Sequence, residues 1–211
     1  MSALYIIGSG GHSRPIISTV NLLGSWDLRG VIDINFKNKD EKVLGVKVLG
    51  SLEVLNEIDK KSSYVFLAIG DNRIRRHLFS DPLVSSFKTL NIVHPNAFFD
   101  NSAETSLGNF IGPFAHIGPE VKIGKSNIIN SYVNIEQESS LKDFNHIAPG
   151  AIICGRCQIG SEVFIGSNAT VVENTSIADR NIIGAGSIII ESILKKDGKY
   201  VGNPGKLLER G

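Results

Sequence analysis

The chain has 211 residues, of which 42% are hydrophobic and 20% charged, which suffices for two small domains or one larger domain. Its formal net charge of +1 gives no indication of nucleic-acid binding, and no apolar stretch reaches the ~18 residues that a membrane span needs. The N-terminal segment lacks the basic start and long apolar core of a signal peptide, so we expect a cytoplasmic protein with no membrane partner.

The N-terminal part of the chain predicts strands that alternate with helices. An apolar strand at 3–7 leads through a glycine turn into a helix at 13–23, and a second strand at 30–33 ends in an acid. This alternation favours a small, Rossmann-like parallel α/β sheet. The later predicted elements are a short strand at 43–49, a helix at 52–60 with Ser51 as its N-cap, a strand at 64–69, a helix that opens at 70–76, and a strand at 90–93.

The turn Gly8-Ser-Gly-Gly-His12 resembles the dinucleotide fingerprint G-x-G-x-x-G, but Ser13 occupies the third glycine position. A glycine turn at a helix N-terminus presents N–H groups to a phosphate or a sugar oxygen. Asp33, at the tip of the second strand, stands where contacts to a ribose or base usually originate. The domain is too small for a two-lobed NAD fold, so we interpret the turn as a nucleotide or nucleotide-sugar site. A purely structural turn is the alternative.

Further along the chain, from Ile111 to Ile189, every sixth residue is aliphatic. Neither a helix nor a lone strand requires a strict period of six, whereas hexapeptide repeats are typical of a parallel β-helix. Three hexapeptides form one coil, and coils stack at about 4.8 Å, the ordinary inter-strand spacing. Weaker copies at Phe99 and Thr105 extend the predicted solenoid to 99–194. The fourteen strict positions are Ile111, Ile117, Ile123, Ile129, Ile135, Leu141, Ile147, Ile153, Ile159, Ile165, Val171, Ile177, Ile183 and Ile189.

Small residues recur around this aliphatic column. We expect the glycines that follow the aliphatic residue to supply backbone freedom at tight corners. Cys154 and Cys157 form a CxxC, which would suit a redox pair or half a zinc site. Because Cys157 occupies a short inward position and no second CxxC completes a zinc shell, we favour a packing role and expect no metal. The glycines are Gly112, Gly118, Gly124, Gly160, Gly166 and Gly184.

The motifs and their order resemble bacterial sugar acetyltransferases of the PglD/NeuD type over nearly the whole chain. The resemblance implies a homotrimer of left-handed parallel β-helices, with acetyl-CoA in the groove between adjacent solenoids. It also implies a nucleotide-sugar-binding α/β domain at 1–94 and an acetyl-CoA-binding β-helix domain with a C-terminal tail at 95–211. The matching segments are residues 7–12, 31–33 and 67–75, the hexapeptides, and residues 146–150 and 201–206.

The resemblance assigns residues to both substrates. The nucleotide-sugar contacts would come from Gly10, Gly11, His12, Asp33 and Gly70. The acetyl-CoA contacts would come from His146, the backbone at Ser167 and Ala185, and Lys206, whose compact charge suits CoA phosphates. The family often carries a second acid after the first, where this chain has Ile34, which leaves the nucleobase open.

The position of the family's catalytic base departs from the pattern. The motif I-E-H-E/D uses a histidine, backed by an acid, to take the proton that a sugar amine or hydroxyl loses as it attacks the thioester. This chain reads Ile135-Glu-Gln-Glu, so the acid Glu138 is present and Gln137 replaces the base. Three interpretations stay open: the enzyme works without the imidazole, with Glu138 or a water as acceptor; Gln137 is a chance or engineered substitution; or the chain is a non-catalytic binding relative.

Another histidine could supply the base. His146 is the best substitute, because by resemblance it lines the same groove. Arg75 and Arg76 are expected on an exposed helix face rather than at a phosphate. The remaining histidines are expected to be a surface or trimer contact at His116, structural at His94, and solvated at His77.

The favoured function is acetyl transfer from acetyl-CoA, by direct attack, to a UDP-, dTDP- or GDP-linked amino sugar for surface glycan synthesis. A 4-amino-4,6-dideoxy sugar is the preferred acceptor. The alternative enzyme is a sialic-acid-type sugar O-acetyltransferase. The missing base argues against it, because an amine is a better nucleophile than a hydroxyl. The non-enzymatic alternative is a protein that only binds the nucleotide sugar or CoA.

Overall fold

The computed structural model describes residues 1–37 and 40–208. The chain divides into two compact units, Met1–Ile92 and Val93–Gly211. The division falls two residues before the domain boundary expected from the sequence, which lay after residue 94. Within the described residues no helix is both long enough and apolar enough to cross a bilayer.

The N-terminal unit is an α/β sheet, as expected. Its elements are β1 (Ser2–Ile7), α1 (Ser13–Leu23), β2 (Trp26–Ile32), β3 (Lys42–Val43), β4 (Val46–Gly50), a 3₁₀ helix (Leu52–Glu57), β5 (Ser63–Leu67), α2 (Asn72–Phe79) and α3 (Pro82–Ser85). The strand order is β3-β4-β2-β1-β5. The pairs β1–β2, β1–β5 and β2–β4 are parallel, and only β3–β4 is antiparallel. The sheet therefore brings the carboxyl ends of β1, β2 and β5 to one edge.

Local signals explain several helix boundaries. Gly24 ends α1 in a left-handed conformation with φ of 60°. Asp71 caps α2, because its carboxylate accepts from two N–H groups of the first turn. The prediction that Ser51 caps a helix is wrong: its hydroxyl bonds to the Glu53 carboxylate instead of a backbone N–H, and the helix is a short 3₁₀ segment.

The C-terminal unit is a parallel β-helix whose short strands, of two residues except for the three of β23, belong to three sheets. Face A contains β7 (Phe98–Phe99), β10 (His116–Ile117), β13 (Asn134–Ile135), β16 (Ile152–Ile153), β19 (Thr170–Val171) and β22 (Ile188–Ile189). Face B contains β8 (Glu104–Thr105), β11 (Lys122–Ile123), β14 (Ser140–Leu141), β17 (Gln158–Ile159) and β20 (Ser176–Ile177). Face C contains β6 (Ile92–Val93), β9 (Phe110–Ile111), β12 (Ile128–Ile129), β15 (His146–Ile147), β18 (Phe164–Ile165), β21 (Ile182–Ile183), β23 (Lys199–Val201) and the antiparallel β24 (Lys206–Leu207).

Three sets of corners join these faces. We call the corner between faces B and C the closed corner and the corner between faces C and A the open corner, for the hydrogen bonding described below. The closed corner comprises residues 124–127, 142–145, 160–163 and 178–181. The open corner comprises residues 112–115, 130–133, 148–151, 166–169 and 184–187. The A-to-B corner comprises residues 118–121, 136–139, 154–157 and 172–175.

The inward column predicted from the period is confirmed. The fourteen aliphatic residues from Ile111 to Ile189 are all buried, with at most 3% of the surface of each exposed. Burying a side chain of this size stabilises a fold by about 1.5–3 kcal/mol, so the hydrophobic stabilisation is spread evenly along the coils. Cys157 also points inward, and burial raises the pKa of its thiol to about 11.

The role expected for the corner glycines is wrong. Left-handed backbone recurs three residues after the aliphatic, mostly at other residue types, such as Tyr132, Glu138 and Asn168 with φ of 59°, 58° and 57°. The glycines directly after the aliphatic have no such torsion. At Gly166 an added Cβ would lie 2.5 Å from the backbone nitrogen of Ala185 in the next coil. Glycine is therefore required there because the coils stack closely, and not because the backbone torsion demands it.

Candidate functional site

A cavity of about 390 Å³ opens at the carboxyl ends of β1, β2 and β5. This edge of a parallel sheet is where open α/β folds bind ligands. The five residues expected to contact the nucleotide sugar all line the cavity: Gly10, Gly11, His12, Asp33 and Gly70. Sequence reasoning missed the other lining residues, which are Gly8, Ser9, Ile34, Asn35, Ala68, Ile69 and Ile74.

The glycines of this cavity are of two kinds. Gly8 has φ of +115°, and an added Cβ would lie 2.8 Å from the Ala68 carbonyl oxygen, so the fold itself requires glycine. At Gly10, Gly11 and Gly70 the backbone is not left-handed, and an added Cβ would meet nothing within 4 Å. Packing and torsion therefore do not explain these three glycines. Each keeps clear a space that a ligand can approach closely.

Backbone donors accompany this open space. The N–H groups of Gly10 and Gly11 donate to no acceptor within residues 1–37 and 40–208, whereas the Gly8 N–H donates to the Ile32 carbonyl at 2.7 Å. The two glycines precede α1, whose N-terminus carries a partial positive charge. Unused N–H groups at a helix N-terminus form an anion site that suits a phosphate oxygen.

A fixed carboxylate lies on another wall of the cavity. The Asp33 carboxylate accepts from the Ser9 hydroxyl and from the Asn35 N–H, the latter at 2.8 Å. These bonds hold the acid at the end of β2, where it can accept from a ribose hydroxyl or a ring N–H of a ligand. Ile34 and Ile74 add apolar surface to the same cavity.

Arg75 fixes the third wall from within the domain, which corrects the expectation that it lies on an exposed helix face. Its side chain is 1% exposed. The guanidinium donates to the carbonyls of Ile69 and Gly70, at 2.8 and 3.3 Å, and to Asn72 Oδ1 at 2.8 Å. Helical side chains lean toward the N-terminus of their helix, which carries Arg75 back over the loop before α2. Arg76 is exposed, as expected.

In the solenoid, the closed corner uses its own side chains to satisfy its backbone. The residue two positions after each aliphatic donates its N–H to the side chain one coil further on. Lys125 donates to Asp143 Oδ1 at 2.9 Å, Asp143 to Ser161 Oγ at 3.3 Å, and Ser161 to Asp179 Oδ1 at 3.0 Å. This ladder leaves none of the three N–H groups for a ligand.

The open corner leaves the equivalent N–H groups unused. Its column contains Pro113 and Pro149, which have no N–H, and Ser131, Ser167 and Ala185. The N–H groups of the latter three donate to no acceptor in the part of the chain that the structure describes. Ser167 and Ala185 are the two residues expected to contact acetyl-CoA through the backbone. Both have the donors that such contacts need.

The four residues expected at acetyl-CoA share one side of the solenoid. His146 lies on β15 and Lys206 on β24, both in face C, and Ser167 and Ala185 follow face C strands at the open corner. The His146 ring meets Phe164 edge-on at a centroid distance of 5.1 Å. Its Nε2 lies 3.2 Å from the side-chain nitrogen of Asn130. The imidazole is therefore held in place one coil before Ser167.

The position of the missing base lies elsewhere, at the A-to-B corner. The Gln137 amide lies against Gly155, where an added Cβ would come within 2.5 Å of Nε2. Both Glu138 oxygens interact with Arg156 in the next coil, Oε1 with Nη2 at 3.2 Å and Oε2 with Nε at 3.3 Å. Proton uptake by Glu138 would therefore break an ion pair. His146 belongs to face C, so one chain does not bring it to Gln137.

Exposed aromatic residues lie on face A and at the open corner of the solenoid. Phe98 stacks on His116 on face A, with ring centroids 4.9 Å apart, and Phe114 stacks on Tyr132 at the open corner, at 5.1 Å. In the single chain Phe98, Phe114 and Tyr132 are 53%, 52% and 65% exposed. These stacks form an apolar surface beside the open corner.

The cysteines have the surroundings of packed thiols. Burial, followed by the negative charges of Glu136 and Glu173, raises the pKa of Cys154, so a thiolate nucleophile is disfavoured at neutral pH. Residues 1–37 and 40–208 contain no group of three or more His, Cys, Asp or Glu side chains that could hold a metal ion.

Comparison with protein families gives two matches within the chain. The model of the PglD N-terminal domain matches residues 3–81, and that of the bacterial transferase hexapeptide (six repeats) matches residues 156–191. A curated relative, an uncharacterised protein of Acanthamoeba polyphaga mimivirus, is 30% identical over 127 residues, or 60% of this chain. The chain spans about a quarter of that relative, 24% of its length.

Solved structures of similar proteins cover both units. A variant of perosamine N-acetyltransferase from Caulobacter crescentus, with one histidine replaced by asparagine and in complex with CoA and GDP-perosamine, is 27% identical. Its TM-score is 0.89, and the match covers 100% of this chain and 98% of that chain. The acetyltransferase domain of PglB from Neisseria gonorrhoeae, in complex with acetyl coenzyme A, is 27% identical with a TM-score of 0.90, over 98% of this chain and 99% of that one.

Proposed function

The chain belongs to the PglD/NeuD-type sugar acetyltransferases, and from this premise we propose that it transfers the acetyl group of acetyl-CoA to a nucleotide-linked amino sugar. The observation that carries the proposal is the similarity of both units together to the perosamine enzyme in complex with CoA and GDP-perosamine. A match to the solenoid alone would support only acyl transfer. A match that includes the sugar-binding unit supports the acceptor class as well.

The acceptor half of the proposal rests on the cavity of the N-terminal unit. Gly10 and Gly11 offer N–H groups that suit a diphosphate, and the fixed Asp33 carboxylate suits a ribose hydroxyl or a nucleobase N–H. The sugar is a 4-amino-4,6-dideoxy sugar in our proposal, which agrees with the GDP-perosamine bound to the relative. Ile34 follows Asp33 where the family often has a second acid, so the nucleobase is left to experiment.

The donor half rests on the open corner. A thioester carbonyl becomes an oxyanion when an amine attacks it, and backbone N–H groups stabilise such an oxyanion or hold the pantetheine amides. Ser167 and Ala185 have the unused N–H groups for these roles. Lys206, on the same face, supplies a compact positive charge for CoA phosphates.

The chemistry at Gln137 determines how the enzyme works without the family histidine. The sugar nitrogen forms a bond to the acetyl carbon, the carbon–sulfur bond breaks, and the amine proton must leave while the thiolate becomes a thiol. Gln137 cannot take that proton at neutral pH, but its amide can donate and accept hydrogen bonds. Because both Glu138 oxygens already interact with Arg156, we assign the proton to a water that Gln137 orients.

A complete site requires more than one copy of the chain in this proposal. Gln137 lies at the A-to-B corner, whereas His146, Ser167 and Ala185 lie on face C or at the open corner. In a homotrimer, the A-to-B corner of one solenoid would lie next to the open corner of a neighbouring solenoid. The exposed aromatic stacks beside the open corner provide apolar surface for that contact. The proposal also includes a cytoplasmic location and a product used for surface glycans.

One assay separates the competing functions. The chain and its Gln137→His variant are incubated with acetyl-CoA and with UDP-, dTDP- or GDP-linked 4-amino sugars, or with sialic acids, and free thiol release is followed. We expect turnover with one 4-amino sugar by the unaltered chain. Turnover only by the variant would mean that Gln137 is a substitution in a histidine-dependent enzyme. Turnover by neither, with CoA still bound in a calorimetric titration, would overturn the enzyme and leave a binding protein.

A further inference from the structure

Arg75 is a buried charge that the proposed chemistry does not use. Its guanidinium is 1% exposed and donates to two consecutive carbonyls, Ile69 and Gly70, and to Asn72 Oδ1. A buried charge is costly to desolvate, so it has to be held by hydrogen bonds. Ile69 and Gly70 both line the cavity of the N-terminal unit. The charge is therefore located directly behind one wall of the candidate nucleotide site.

The orientation of that wall follows from peptide geometry. In a trans peptide the C=O and the following N–H point in opposite directions. When Arg75 holds the Ile69 and Gly70 carbonyls, the N–H groups of Gly70 and Asp71 turn away from the guanidinium. Without Arg75, either carbonyl could rotate toward the cavity and repel a phosphate. The fork of the guanidinium holds two carbonyls at once, which the point charge of a lysine does not do.

The open space at Gly70 makes this orientation relevant to a ligand. An added Cβ at Gly70 would meet nothing within 4 Å, so a ligand atom can approach the backbone there. Just before this point the Ala68 N–H donates to the Ile7 carbonyl at 2.8 Å, which fixes the start of the loop. Arg75 thus sets the direction of both carbonyls in the part of the β5–α2 loop that a ligand atom can approach.

We propose that Arg75 is a positioning residue of the nucleotide site, which turns the carbonyls of Ile69 and Gly70 out of the cavity so that neither carbonyl oxygen repels the diphosphate of the sugar nucleotide. The inference rests on the proposed function for the identity of the ligand. It adds a residue that acts through the loop, without contact to the substrate itself.

The test compares Arg75→Lys, which keeps the charge and loses the fork, with Arg76→Met, which removes a neighbouring exposed charge from the same helix. We expect Arg75→Lys to raise the KM for the nucleotide sugar about tenfold, because hydrogen bonds to a charged group are lost or misaligned. The kcat and the KM for acetyl-CoA should change less than twofold. Arg76→Met should change none of the three. Far-UV circular dichroism and thermal unfolding establish that each variant is folded.

Two further measurements keep the outcome decisive. If Arg75→Lys does not fold, Asn72→Ala, which removes one acceptor of the guanidinium, should raise the same KM by a smaller factor. Calorimetric binding of UDP, dTDP and GDP to the unaltered chain and to Arg75→Lys gives a readout that needs no turnover. Equal nucleotide affinity of the two proteins would overturn the positioning role while the proposed function stands. Absence of turnover with weakened nucleotide binding in the variant would overturn acetyl transfer and support the positioning role. Absence of nucleotide binding to the unaltered chain would overturn both.

Discussion

The closed and open corners are built from the same hexapeptide and share one inward column, but they use their backbone differently. In the closed corner the N–H groups of Lys125, Asp143 and Ser161 are taken by side chains one coil away. In the open corner those of Ser167 and Ala185 are taken by nothing within the described chain. The period determines the scaffold, and the side chains at one position determine which corner has N–H groups left unused.

The cavity of the N-terminal unit repeats this contrast with glycines. Gly8 serves the fold itself, because its positive φ and the close Ala68 carbonyl both require glycine. In this respect it corresponds to the closed corner, whose side chains satisfy its own backbone. At Gly10 and Gly11 neither torsion nor packing against residues 1–37 and 40–208 requires glycine, and their N–H groups are unused there, as at the open corner. In both units, therefore, the residues that stabilise the fold can be separated from those whose N–H groups are unused within the described residues.

The largest expected effect concerns Gln137 at the A-to-B corner. Gln137→His should raise kcat about 100-fold, because a positioned general base contributes on that scale. The rate should rise with pH through about 6.5, where an imidazole loses its proton and becomes able to accept one. The matched control is Gln158→His at an exposed position on face B, which should leave kcat unchanged. Steady-state rates across the pH range check the prediction, and an unaltered rate and profile for Gln137→His would contradict it.

The open corner can be tested by removing an N–H without removing a side-chain contact. Pro113 and Pro149 already occupy the same column, so Ser167→Pro should fold normally. Loss of one donor to an oxyanion or a thioester carbonyl should lower kcat/KM for acetyl-CoA about 10–100-fold. Ser131→Pro, in the same column but outside the residues assigned to acetyl-CoA, is the control. Equal effects of the two substitutions would show that the donor at Ser167 has no special role.

The glycines of the cavity provide the next test. Gly11→Ala should raise the KM for the nucleotide sugar about tenfold and leave thermal unfolding unchanged, because the methyl group enters ligand space. Gly8→Ala should instead lower the free energy of unfolding by about 1–3 kcal/mol, from strain and the close Ala68 oxygen. A Gly11→Ala protein with lowered stability and unaltered KM would remove the distinction between the two glycines.

The closed corner should give the smallest effect, on stability alone. Asp143→Ala removes the acceptor of the Lys125 N–H and should lower the free energy of unfolding by about 1 kcal/mol. The KM for acetyl-CoA should remain within twofold, since the ladder faces no substrate in our proposal. Urea denaturation and steady-state kinetics measure the two quantities. A large change in KM would mean that the closed corner belongs to the binding surface.

The sequence predicts the scaffold well because one physical demand repeats: an aliphatic side chain fills the axis at every sixth position from Ile111 to Ile189. The role of the corner glycines was predicted wrongly because residue type does not reveal the sign of φ. Non-glycine residues such as Tyr132 and Glu138 occupy the left-handed position. The five expected nucleotide-sugar residues line one cavity because strand ends of a parallel sheet converge. Their roles in binding remain predictions.

Arg75 and Arg156 illustrate what the sequence does not carry. Arginine is usually exposed, and the acceptors of Arg75 are mostly backbone carbonyls, which have no signature in residue type. The partner of Glu138 could have been found, because Arg156 stands 18 residues on and the period places residues at that spacing in one column. The same spacing separates Ser167 from Ala185, but unused N–H groups become visible only when every hydrogen bond is known.

The most direct test of acetyl transfer to an amine is the mass and chemical stability of the product. The chain is incubated with isotopically labelled acetyl-CoA and the nucleotide-linked 4-amino sugar that gives the fastest thiol release, and the product is examined by mass spectrometry before and after hydroxylamine. We predict that one labelled acetyl group is added and that hydroxylamine does not remove it, as expected of an amide. A labelled product that hydroxylamine cleaves would be an ester and would contradict N-acetylation, and release of thiol without any labelled sugar would contradict acetyl transfer itself.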